Sequence, residues 1–176
     1  PANRSNLVVK AAELLAAEYG VVAGAEVAIR KSIPVTGGMA GGSADCAAAL
    51  LALSVLWNLD ITPAELTELG ARLGADVPFA LHGQTAFGTG RGDRLVPVLS
   101  RGTYHWVLAL ADFELSTPAV FARFDELNPD APDDIGVPAG MLEALAAGDA
   151  AALGETLTND LTEAALSLRP ELARTM

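Results

Sequence analysis

The run Ile33-Pro34-Val35-Thr36-Gly37-Gly38-Met39-Ala40-Gly41-Gly42-Ser43-Ala44-Asp45 lies between a partly alternating apolar segment and a long Ala/Leu stretch. That context predicts a loop leading from a strand into a helix. Its paired glycines dispense with Cβ atoms and admit positive φ, so backbone N–H groups can close around an anion. The helix that follows contributes unpaired N–H groups and a partial positive charge at its start. The run therefore reads as a phosphate loop, with a flexible surface turn as the competing reading.

Two familiar phosphate loops do not fit. A P-loop places Lys and then Ser or Thr after its last glycine, whereas Gly42 is followed by Ser43-Ala44-Asp45. The dinucleotide fingerprint needs Gly-x-Gly-x-x-Gly after the first strand, and these glycine pairs lack that spacing.

Composition narrows the partners. A chain of 176 residues buries a real core as one domain or one and a half. With 51% hydrophobic and 19% charged residues it reads as globular. A net charge of −11 argues against nucleic acid, whose binders need basic patches. Nucleotides stay open, because a few N–H groups, one lysine and Mg²⁺ hold them locally. The lone Cys46 leaves no internal disulfide, and the two histidines suggest no metal cluster. Cys46 reads as a small buried thiol just inside the helix. A cytoplasmic location is the default expectation. No signal-peptide pattern and no apolar run of about 18–20 residues appears, so no membrane partner is expected. The apolar run at residues 47–57, interrupted by Ser54, predicts a buried helix.

Along the chain, Leu7, Val8, Ala11, Leu14 and Leu15 recur at helical spacing, with Gly20 and Gly24 to end the helix. Residues 26–33 predict a strand whose face carries Val27, Ile29, Lys31 and Ile33. Thr62-Pro63-Ala64-Glu65 is a capping box opening a helix with Leu66, Leu69 and Leu73 as its stripe and Gly74 as its stop. Residues 84–87 and 95–98 predict a hairpin around a glycine turn. Beyond a composition change at residues 99–103, residues 104–110 predict an apolar strand. Thr117-Pro118 opens a helix with Val120, Phe121, Phe124 and Leu127. Residues 128–138, rich in Asp and Pro, read as a solvated linker, and the remainder as helical.

The glycine loop resembles the phosphate-binding motif of the galactokinase, homoserine kinase, mevalonate kinase and phosphomevalonate kinase superfamily, written Pro-x-x-x-Gly-Leu-Gly-Ser-Ser-Ala. Paired glycines on both sides of Met39-Ala40 are most similar to the 4-diphosphocytidyl-2-C-methyl-D-erythritol kinase family within it. A second stretch supports this: Leu73-Gly74-Ala75-Asp76-Val77-Pro78-Phe79, followed by Gly83, Ala86 and Gly88-Thr89-Gly90-Arg91-Gly92-Asp93. The resemblance runs from Asn6-Leu7 to Asn159-Asp160-Leu161. It implies an α+β, two-domain kinase. An ATP-binding, ribosomal-protein-S5-like domain would cover residues 1–99, and an incomplete ferredoxin-like C-terminal domain residues 100–176. The implied reaction is ATP-dependent, Mg²⁺-assisted phosphorylation of the 2-hydroxyl of 4-diphosphocytidyl-2-C-methyl-D-erythritol, in non-mevalonate isoprenoid synthesis. A homoserine-kinase-like enzyme and a non-catalytic nucleotide-binding fragment are the rival readings. The chain opens at Pro1 and stops at Met176. The family's upstream lysine-bearing strand and downstream glycine-rich motif are not in it, so it reads as a piece cut at both ends. Its alanine-rich, lysine-poor composition suggests a high-GC bacterial source.

The resemblance also implies roles for single residues. Asp76, which on its own reads as a helix cap, becomes the catalytic carboxylate that orients the hydroxyl and accepts its proton. Pro34 to Ala44 would hold the ATP phosphates. Ser43 reads either as a helix cap or as a phosphate or Mg²⁺ contact, and Ala44 stands where the family usually has a second serine. Asp45 reads as complementing the helix N-terminus. Asn6 and Lys31 match positions around adenine and ribose, against a plain helix cap and a snorkelling lysine. Thr117 and Phe121 match substrate-side positions, where Phe121 stacks on cytosine or else belongs to the core. Ala122 stands where the family often has a basic residue; Arg123 is a candidate substitute.

Overall fold

A computed structural model describes residues 3–33, 38–132 and 136–174. Those residues form two compact units. The first holds the described residues up to Ile33 and from Met39 to Pro97, and the second holds Gly38 and the described residues from Val98 onward.

Local chemistry accounts for the helices of the first unit. Helix α1 (Leu7–Tyr19) is opened by Asn6, whose side chain accepts from the Val8 N–H at 2.9 Å, and closed by Gly20 in the left-handed region. Helix α2 (Gly41–Leu56) runs through the Ala/Leu stretch to Trp57. Helix α3 (Pro63–Leu73) carries the full capping box, with the Glu65 side chain returning to the Thr62 N–H at 2.7 Å. The Thr62 backbone and hydroxyl bonds hold the Glu65 carboxyl below its usual range. Helix α4 (Val77–His82) follows at once. Strands β1 (Ala86–Thr89) and β2 (Arg94–Pro97) pair antiparallel with Phe87 opposite Val96, so the expected hairpin forms, closed by the turn at residues 90–93.

Helices α1, α3 and α4 all pack on α2. Their core centres on Leu15, Cys46, Leu50 and Val77, with Leu53, Leu66 and Leu69 around them. Fully burying each such leucine contributes about 1.5–3 kcal/mol. Cys46 is fully buried, and loss of hydration pushes its thiol up to about 11. The thiolate is the reactive form, so the native protein is expected to resist a disulfide-exchange reagent at pH 8. The same reagent should label one thiol promptly in denaturant; fast labelling of the native state would contradict this packing.

The second unit is helical among its described residues. Helix α5 (Thr117–Leu127) packs on α8 (Thr162–Leu168), burying Val120 and Ala164. Helices α6 (Met141–Ala147) and α7 (Ala150–Thr156) form a hairpin around Ala144, Leu145 and Leu153. Asp149 caps α7 with two bonds of 3.0 Å. A 3₁₀ turn spans Pro170–Arg174. Within the expected linker at 128–138, residues 133–135 lie outside the described residues.

Two expected strands do not form. Residues 26–33 and 104–110 take no part in any sheet among the described residues. Val27 and Ile29 are half exposed, and Val107 is 98% exposed. A strand is stable only when its N–H and C=O groups find a neighbouring ladder. Neither segment has one here.

Candidate functional site

The head of α2 is where the glycine run ends and where several of the expected nucleotide residues meet. Pro34, Val35, Thr36 and Gly37 lie outside the described residues. From Gly38 onward the geometry differs from the expectation. Gly38 has φ +66°, but the second left-handed residue is Ala40, at φ 49°. Gly41 and Gly42 are the first residues of α2 and have no positive φ. Ala40 has no side chain able to cap the helix, so among the described residues the start of α2 has no side-chain cap.

Gly41 is required by packing instead. A Cβ there would stand 2.8 Å from Ile33 Cγ2 and 3.0 Å from Lys31 Nζ. The Lys31 ammonium thus lies against the first turn of α2 and pairs with Asp45 at 2.5 Å. Among the described residues a Cβ at Gly42 would meet only Leu7 Cδ1, at 3.8 Å, which sets the start of α1 beside the same turn. Lys31, Gly41 and Asp45 are thereby gathered around one helix start, with Leu7 beside it. Asn6 is engaged as the cap of α1. Ser43 is the third residue of α2 rather than its cap, and its hydroxyl makes no hydrogen bond among the described residues. Asp45, expected only to complement the helix N-terminus, is the partner of Lys31. The sequence offered no signal for that pair, because its members are fourteen residues apart across the glycine run.

Asp76 stands immediately before α4, in the position of a cap, but makes no capping bond. Its exposed carboxylate has no hydrogen bond or ion pair among the described residues. The buried residues behind it are Val77 and Pro78. A carboxylate free of structural duty can accept a proton from a bound alcohol. The Gly88–Asp93 turn resembles a second phosphate loop in composition, but its Arg91 pairs with Asp93, holding that carboxyl below its usual range.

In the second unit, Thr117 and Phe121 share one exposed side of α5, four residues apart. Phe121 is 52% exposed, so it is not core; Val120 faces inward, and Phe124 and Leu127 are partly buried. Arg123, the candidate substitute for the missing basic residue, is engaged within the second unit. Its Nε donates to Ser167 at 2.9 Å and its Nη1 pairs with Glu126, on the α8 side of the helix. Two residues apart on a helix is about 200°, so Phe121 and Arg123 face different ways.

Among the described residues, no group of three or more His, Cys, Asp or Glu is placed to hold a metal. No described helix is long and apolar enough to cross a membrane.

Residues 6–84 match the GHMP kinases N terminal domain. The chain is 58% identical, over its whole length, to 4-diphosphocytidyl-2-C-methyl-D-erythritol kinase of Rhodococcus jostii and spans 57% of that protein. It is 57% identical to the Nocardia farcinica protein of the same name, spanning 58% of it. A crystal structure of 4-(cytidine 5'-diphospho)-2C-methyl-D-erythritol kinase superposes with a TM-score of 0.72 at 34% identity, covering 99% of this chain and 61% of the other. The chain therefore spans somewhat more than half the length of the relatives it matches. Its residues 6–84 thus resemble the N-terminal domain of the GHMP kinases, and the relatives that match it from end to end are 4-diphosphocytidyl-2-C-methyl-D-erythritol kinases.

Proposed function

We propose that the full-length protein transfers the γ-phosphoryl group of ATP to the 2-hydroxyl of 4-diphosphocytidyl-2-C-methyl-D-erythritol, in non-mevalonate isoprenoid synthesis. The observation that carries this reading is the identity of 58% over the whole chain to a kinase of that name. The reading includes an ATP-binding, S5-like domain over residues 1–99 and part of a ferredoxin-like domain over residues 100–176.

Phosphoryl transfer asks mainly for positioning and charge stabilisation. The uncapped start of α2 offers N–H groups and a positive dipole end to the ATP phosphates, from Pro34 through Ala44. The close approach at Gly41 keeps Lys31 beside them, with Asn6 nearby for adenine or ribose. Mg²⁺ neutralises phosphate charge when bound. It is commonly held by substrate phosphates with one or two protein oxygens, so the unengaged Ser43 hydroxyl suits it without an acidic cluster. Asp76 orients the substrate hydroxyl in line and accepts its proton. Thr117 and Phe121 bind the cytidine end.

The cytidine assignment has a direct test. Stacking on a base is worth about 1–3 kcal/mol when truncated to alanine. Phe121→Ala in the full-length enzyme is expected to raise KM for the cytidine-bearing substrate roughly ten- to a hundredfold and to leave KM for ATP unchanged. Because the ring is half exposed, the variant should keep its melting temperature. An unchanged KM, or homoserine as the better substrate, would overturn the assignment.

A further inference from the structure

We propose that Asp45 is a positioning residue: its carboxylate holds the Lys31 ammonium over the first turn of α2, in the place where Lys31 serves the nucleotide. The inference rests on the ATP-loop reading above and adds to it a residue and a mode of action. Two observations carry it. First, the ammonium lies where a Cβ on Gly41 would come within 3.0 Å, a slot open only because residue 41 is glycine. Second, a cation at a helix N-terminus faces the positive end of the dipole and is disfavoured there unless an anion accompanies it. Asp45, one turn further along α2, supplies that anion at 2.5 Å.

Both side chains are about 30% exposed, 30% for Lys31 and 31% for Asp45, so the pair is screened in part but not fully solvated. An ion pair of this kind fixes a long, rotamer-rich side chain before the ligand arrives. The nucleotide then meets an ammonium already in position rather than ordering one at its own expense. The effect belongs to binding, not to the chemical step.

The test is a double-mutant cycle in the full-length enzyme, reading KM for ATP, kcat and melting temperature. Asp45→Ala is expected to raise KM for ATP roughly three- to tenfold with kcat within about twofold, and Asp45→Glu to restore part of the loss. Lys31→Ala should raise KM by at least as much. In the Lys31→Ala background, Asp45→Ala should have no further effect on KM. If the two effects multiply, Asp45 acts on its own and the positioning role is overturned. If Lys31→Ala raises KM while Asp45→Ala does not, the positioning role falls and the ATP-loop reading stands. If neither variant changes KM for ATP, both fall together. A drop in melting temperature with KM unchanged would make the pair purely structural.

Discussion

Asp76→Asn in the full-length enzyme is expected to lower kcat at least about a hundredfold while leaving ATP affinity and stability close to wild type, the range seen when a general base is removed. The reason lies in what the carboxylate does not do. It occupies a cap position but makes no capping bond, and among the described residues it has no hydrogen-bond or ion-pair partner. A capping aspartate would cost about 1 kcal/mol on replacement, and asparagine, an equally good cap, would restore it. The two roles therefore separate cleanly. A capping role shows in the melting temperature of Asp76→Ala and is silent in Asp76→Asn; a proton-accepting role shows in the kcat of both. Near-normal turnover of Asp76→Asn would remove Asp76 from the chemistry.

The second large effect is expected at Gly41. A valine there drives its Cβ to within 2.8 Å of the Ile33 side chain, which is β-branched and cannot swing aside cheaply. Overpacking of this kind costs about 1–3 kcal/mol. It also closes the slot occupied by Lys31 Nζ, so the variant should lose ATP affinity by more than about tenfold even where it remains folded, as preorganised contacts are lost. Isothermal titration with ATP on the folded fraction, beside a melting curve, separates the two losses. Gly42→Ala is the control, since a Cβ there makes only an ordinary 3.8 Å contact with Leu7. A Gly41→Val protein that melts early but binds ATP normally would make this glycine structural alone.

Local signals were enough to read the helical frame. The helix opened by Asn6 and closed by Gly20, the capping box at Thr62 and Glu65, and the glycine turn of the hairpin each depend on residues within a few positions of one another. Such interactions form whatever the rest of the chain does. The same is true of the two motifs, one ending at Ala44 and one around Asp76, which lie in the stretch that matches the GHMP kinases N terminal domain.

What sequence could not decide are the features that depend on distant partners. Periodicity marked residues 26–33 and 104–110 as strands, but a strand exists only by virtue of its neighbour, and alternation says nothing of whether one is present. Phe121 could be core or surface by its helical spacing; the packing of α5 on α8 turned Val120 inward and left Phe121 exposed. Arg123 was drawn to Ser167, forty-four residues away. At the glycine run, composition pointed to positive φ at the glycines, whereas the fold placed Ala40 in the left-handed region and reserved Gly41 for the close approach of Ile33 and Lys31. By itself, then, the sequence determined the helices, their caps and the resemblance to the GHMP kinases, because these follow from near neighbours and residue order. Tertiary structure alone decided which side chains meet at the head of α2, the Lys31–Asp45 pair above all, because contacts across fourteen residues depend on how the chain folds back on itself.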